Sequence, residues 1–119
     1  MNRIDHQAFF DTDLPRIEEE MGDDAKFAEF LECLDKAIDE IMRDPANEGA
    51  PLQRPPLAPT YRKKKFHSVR RPPRGQKADM RLVYRCDLTA NTLYVFGVGK
   101  RRPYQDNDIY ALLNPRSPI

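Results

Sequence analysis

The stretch DPANEGAPLQRPPLAPT, residues 44–60, holds five prolines and no apolar period, and it divides the chain into two dissimilar halves. Proline fixes φ and has no N–H to donate, so neither a helix nor an inner strand runs through such a segment. The spacing of apolar residues changes across it. Before the break, Phe27, Phe30, Leu31, Leu34, Ile38 and Ile41 recur at the intervals of one helix face, with Glu29, Glu32, Asp35, Asp39 and Glu40 on the other. Asp23 and Asp24 suit the start of that helix, and Arg43 followed by Pro45 suits its end. Upstream, Asp13 reads as an N-cap with Pro15 in the first turn, and Leu14, Ile17 and Met21 line one face as far as Gly22. The two segments predict a helical hairpin over about residues 13–43. Residues 1–12 show no period; Ala8-Phe9-Phe10 reads as a short strand or as a segment lying over the core.

After the break the pattern is β. Tyr61–Val69 is a plausible but heavily basic strand, and RRPPRGQKAD (70–79) is a loop dense in cations. In MRLVYRC, Met80, Leu82, Tyr84 and Cys86 alternate with Arg81, Val83 and Arg85, the pattern of a half-buried strand. DLTAN turns the chain, and TLYVFGVG (92–99) is apolar enough for a central strand. A short tail, 100–119, carries a helical turn around Ile109 to Leu113. Leu52 and Leu57 pin the connector to the core. A chain of 119 residues supports one modest core. The expectation is therefore a single α+β domain, 1–119: the hairpin packs on one face of a small twisted antiparallel sheet over 61–99. Met80, Leu82 and Tyr84 would face the helices, leaving Arg81 and Arg85 on an open face.

Charge is the second constraint. Residues 1–50 carry 5 Lys/Arg against 15 Asp/Glu, whereas residues 51–119 carry 15 against 4. Such asymmetry points to a polyanion-binding surface, because the acids fall mostly on outer helix faces. No run approaches the roughly 18 apolar residues of a membrane span, and the polar, acidic start does not read as a signal peptide. Cys33 and Cys86 are too far apart in sequence for a metal motif and read as free thiols of a cytoplasmic protein. No metal or other cofactor, and no membrane partner, is expected.

If the strands form a meander, Arg62 or Lys63, Lys64 or Lys65, Arg81, Arg85 and Arg101 converge on one groove near Tyr61, Tyr104 and Tyr110. Arginine offers phosphate a bidentate fork, and aromatic rings stack on unpaired bases. The combination YRKKKF, RLVYR (81–85) and VGKRRPY (98–104), with Tyr110 beyond, resembles the RelE/ParE superfamily of bacterial toxin–antitoxin toxins. That family also carries a pair of N-terminal helices and a connector ending in a leucine-containing segment like Leu57 to Arg62.

The resemblance implies an endoribonuclease that cuts mRNA, commonly at the ribosome, by attack of a 2′-hydroxyl on the adjacent phosphate. By motif position, Arg81 and Arg101 match its phosphate-stabilising arginines. Lys64 is the nearest match to its strand lysine, with Arg62 or Lys63 as partner, since YRKKKF permits two registers. Tyr110 matches its late tyrosine, or Tyr104 at the closer spacing. Arg62, Lys63, Lys65, Arg70, Arg71, Arg85 and Tyr104 would contact RNA, while Lys100 and Arg102, pointing away from Arg101 by alternation, would contact RNA or the cognate antitoxin that the family implies. The alternative reading is a non-hydrolytic, ParE-like inhibitor of DNA gyrase or another nucleic-acid-binding relative.

Overall fold

A computed structural model describes residues 1–119. The elements in chain order are β1 (Asn2–Asp5), a π-helical turn (Phe9–Asp13), α1 (Leu14–Met21), α2 (Asp24–Arg43), β2 (Ala50–Pro51), β3 (Arg62–Phe66), β4 (Met80–Asp87), β5 (Thr92–Lys100) and α3 (Ile109–Leu113). The architecture is α+β, with the N-terminal helices packed on a five-stranded, mostly antiparallel sheet of order β1-β5-β4-β3-β2. Only β1 runs parallel to its neighbour, placing Asn2 to Asp5 beside Thr92 to Val95.

The helical hairpin forms where periodicity placed it. Gly22 takes the left-handed conformation (φ 61°) that ends α1, and its N–H bonds to the Glu18 carbonyl. Asp23 then caps α2, its side chain accepting from the Lys26 N–H at 2.9 Å. One apolar face of α2, with Phe30, Leu34, Ala37, Ile38 and Ile41, packs with Phe9 and Ile17 on Phe66, Met80, Leu82, Tyr84, Leu93, Val95 and Val98.

Asp13 is not the cap that the sequence suggested. The helix begins upstream, at residue 7, and Asp13 closes the π turn in which the Leu14 N–H reaches back to the Phe9 carbonyl. The wider turn leads into Pro15, which has no N–H to continue an ordinary ladder. Phe9 is helical and buried beneath it. Asp13 is fully buried and serves tertiary structure. β1 is too short to pair all of β5, whose outer edge beyond Val95 is satisfied by side chains instead. Asp13 accepts the Val98 N–H at 3.1 Å, Arg16 donates to the Val98 carbonyl at 3.3 Å, and Arg116 donates to the Phe96 carbonyl at 3.0 Å. Arg116 also grips Asp13 with two bonds of 2.8 Å, fastening the C-terminal segment to the start of the helical layer.

The face away from α1 and α2 is not open, as alternation alone had suggested. A second apolar cluster of Leu57, Tyr61, Val83, Phe96, Ile109 and Leu113 lies there, so α3 and the connector roof part of it. The strand glycines make this possible. A Cβ on Gly97 would stand 2.5 Å from the Leu113 side chain, and one on Gly99 would stand 2.7 Å from Ile109. Because both positions lack a Cβ, α3 lies directly on β5.

Candidate active site

The basic strand β3 divides its cations between the two faces of the sheet. Arg62, Lys64 and Phe66 point to the helical side. Arg62 donates to the Glu48 and Gly49 carbonyls, at 3.0 and 3.2 Å. Lys64 is bound between Glu40 on α2, at 2.8 Å, and Glu48, at 2.7 Å. Burial works against the Lys64 charge, but the two carboxylates outweigh it and raise its pKa. Lys64, the nearest sequence match to a catalytic lysine, therefore stands apart from Arg81, on the opposite side of the sheet.

Lys63 and Lys65 project from the other face. Lys63 lies opposite Val83 and Lys65 opposite Arg81, while Arg81 faces Gly99 across its second ladder. Burial first, and then the charges of Lys65, Arg81 and Arg101, pull the Lys63 ammonium below the ordinary lysine range. None of Lys63, Lys65 and Arg81 has a carboxylate partner. The Arg81 guanidinium is aimed by two backbone oxygens, donating to Ala78 at 2.9 Å and to Met80 at 3.0 Å.

Arg101 completes the group and is the most firmly oriented member. It donates to the buried Asp108 carboxylate at 2.6 Å, and its guanidinium lies 4.9 Å from the centroid of the Tyr110 ring. The other Asp108 oxygen takes the Arg102 backbone N–H, so this carboxylate folds the 101–108 loop back under α3. The Tyr110 hydroxyl is buried without a hydrogen-bond partner in the chain. Burial raises its pKa against the pull of Arg81 and Arg101, so it stays protonated and able to donate at neutral pH. Asp108 was missed in the sequence; its only signal was an aspartate just before the helical turn at Ile109, and its partner is seven residues away.

Arg101 reaches this face because β5 carries a bulge. The register shifts so that Val83 pairs with Gly97 while Tyr84 pairs with Val95, leaving Phe96 as the extra residue. Leu93 and Val95 face the helices, but beyond the bulge the helix-facing residue is Val98. Uninterrupted alternation would have sent Arg101 toward the helices and Arg102 toward Arg81.

The other cations singled out in the sequence lie elsewhere. Arg70 pairs with Glu29 and Glu32 on α2, and Arg102 pairs with Glu20 on α1. Lys100 borders the same helical side as Arg102, where both line a 420 Å³ cleft with Glu20 and Lys26. Arg85 lies on the site's face but further along the strand, stacked 3.9 Å from the Tyr94 centroid and bonded to the Ile119 carbonyl at 2.9 Å. Arg71 is exposed on the loop before β4. Tyr104 is fully exposed, with φ of 66°, and of the two tyrosines only Tyr110 stands with the arginines. His67 is held to the Gln76 carbonyl at 2.9 Å, within the loop.

No group of histidine, cysteine, aspartate and glutamate side chains could hold a metal ion, and no helix is long and apolar enough to cross a membrane. Comparison with protein-family models, with curated proteins and with solved structures gives no match.

Proposed function

We propose that this chain is a RelE/ParE-like toxin whose activity is endonucleolytic cleavage of mRNA. The observation that carries the reading is the convergence of Lys63, Lys65, Arg81 and Arg101, the two arginines standing beside Tyr110, with the Lys63 ammonium destabilised by its surroundings. Lys63, Lys65 and Arg81 have no acid partner, and like charges so placed are unfavourable to folding unless an anion comes to them.

In the proposed reaction the neutral amine of Lys63 takes the proton of a ribose 2′-hydroxyl. The freed oxygen attacks the adjacent phosphorus, and the bond from phosphorus to the 5′-oxygen breaks. Arg81 and Arg101 stabilise the added negative charge, and the Tyr110 hydroxyl donates to a phosphate oxygen. Lys65 gives its proton to the departing 5′-oxygen. It sits two residues from Lys63, about 7 Å along the strand, so the two amines can flank one scissile phosphate. The products are a 2′,3′-cyclic phosphate and a 5′-hydroxyl, and the chemistry uses no metal. The lysine assignment moves from Lys64 to Lys63, because Lys64 is occupied by two carboxylates on the other side of the sheet. A cognate antitoxin would neutralise this face in the resting cell, and the ribosome is the setting in which mRNA would be met.

The test is inducible expression with mapping of mRNA ends, beside in vitro cleavage of RNA with and without ribosomes. Arg81→Ala and Arg101→Ala are each expected to lower the cleavage rate by about 10²–10³-fold, the usual cost of losing a transition-state donor. Growth arrest with intact mRNA and altered DNA supercoiling would instead establish the gyrase-inhibitor reading.

A further inference from the structure

The loop between β3 and β4, residues 67–79, carries Arg70, Arg71, Arg74 and Lys77 and leaves the sheet at the same end as Lys65, Arg81 and Arg101. Its base is tightly closed. The Asp79 carboxylate takes the Ser68 N–H at 2.9 Å and the Ser68 hydroxyl at 2.6 Å, and His67 bonds to the Gln76 carbonyl across the loop. Arg70 is held against α2 by Glu29 and Glu32. The loop is also joined to the site, since Arg81 donates to the Ala78 carbonyl and the Arg101 N–H donates to the Asp79 carbonyl at 2.9 Å.

Arg71, Arg74 and Lys77, by contrast, are exposed and meet no acidic side chain. The fold thus holds three unneutralised cations on a braced arm whose last two residues, Ala78 and Asp79, bond to Arg81 and Arg101 of the cationic cluster. Acids pair Arg70 within the loop, and Lys64, Arg101, Arg102 and Arg116 elsewhere.

We infer that the 70–77 loop is a second phosphate-binding subsite, which holds single-stranded RNA on the flank of the scissile position through Arg71, Arg74 and Lys77. The inference rests on the ribonuclease reading above and adds where the rest of the strand lies. An arm of this kind contacts the backbone rather than base edges, so it sets affinity and register without sequence preference.

The test is the salt dependence of binding to a short, fluorescein-labelled 2′-O-methyl RNA, which lacks the nucleophilic hydroxyl and stays intact. Each phosphate contact removed lowers the slope of log K against log salt by about 0.7 for a single strand. The Arg71→Ala, Arg74→Ala, Lys77→Ala triple variant should therefore flatten the slope by about 2 and weaken binding about 100-fold at 0.1 M salt. The control is an Arg3→Ala, Arg43→Ala, Arg54→Ala triple variant, which changes net charge equally through exposed residues that line no cleft with the loop. Its slope should stay close to that of the wild type. An unchanged slope in the loop variant overturns the subsite, and so does an equal loss in both variants, which would reflect net charge alone. If the loop variant flattens the slope as expected but the unaltered chain cleaves no RNA, the loop stands as a contact to the RNA backbone and the ribonuclease reading falls. If it binds no probe, both fall.

Discussion

The buried pair of Asp13 and Arg116 gives the sharpest stability prediction. Asp13 is wholly inaccessible and the Arg116 side chain is 8% exposed. The carboxylate takes both Arg116 bonds, a weaker one from Arg16 at 3.3 Å, and the Val98 N–H. Asp13→Ala leaves a buried guanidinium without its counter-charge and a backbone donor without an acceptor. Breaking a buried pair from one side costs about 3–5 kcal/mol, and because the orphaned N–H belongs to the same network its cost is included rather than added. A chain of this length has an unfolding entropy of about 0.25 kcal/mol/K near its midpoint. The loss therefore corresponds to a fall of about 12–20 °C in Tm. The assay is thermal and urea unfolding followed by circular dichroism. The Asp13→Ala, Arg116→Met double variant should recover at least half of the loss, since an apolar side chain there carries no desolvated charge. A single-variant loss below about 1 kcal/mol would falsify this account, because that is the scale of an exposed pair. The pair also bears on the site: it anchors the segment just after α3, and α3 carries Tyr110.

Lys63→Met should abolish cleavage, while Lys64→Met should retain it and cost about 1 kcal/mol of stability from the lost Glu40 and Glu48 pairing, which parallel activity and urea-unfolding measurements would separate. The Lys63 pKa is lowered in the folded chain, so between its folded and unfolded values the unfolded state binds more protons and stability rises with pH. Protonated Lys63 is accordingly destabilising at neutral pH, and the cleavage rate should climb through an alkaline limb whose midpoint lies below 10.5, the ordinary lysine value. A midpoint at or above that value would remove Lys63 from the role of base. Gly97→Ala places a Cβ 2.5 Å from Leu113 and 2.8 Å from Arg116. It should cost about 1–3 kcal/mol by overpacking and lower cleavage through displacement of α3; an unshifted urea midpoint would show that α3 does not lie closely on β5.

The α+β class, the helical hairpin and the face of α2 that is buried were legible in the sequence because each depends on short-range spacing. Phe30, Leu34 and Ile38 must share a side of any α-helix, whatever packs against them, and Met80, Leu82 and Tyr84 must share a side of any regular strand. The prolines of 44–60 likewise separate the two layers with no knowledge of the fold. β1 was illegible, since NRID has no alternation and exists as a strand only through its pairing with Thr92 to Val95. The π turn was illegible too, and a buried acceptor at Asp13 was mistaken for a local cap.

For the site, the sequence determined the supply of cations and the presence of Arg81 within a strand. Which of them meet was decided by tertiary structure. Glu40 of α2 and Glu48 of the connector draw Lys64 to the helical side and leave Lys63 to the cluster. The bulge at Phe96 turns Arg101 toward Arg81, and Asp108 holds it there beneath Tyr110. The physical reason is that alternation has memory only as far as the next irregularity: one extra residue exchanges the faces of every residue beyond it. Nothing in TLYVFGVGKRR marks where that residue falls; the cross-strand hydrogen bonds and the packing of α3 on Gly97 and Gly99 place it.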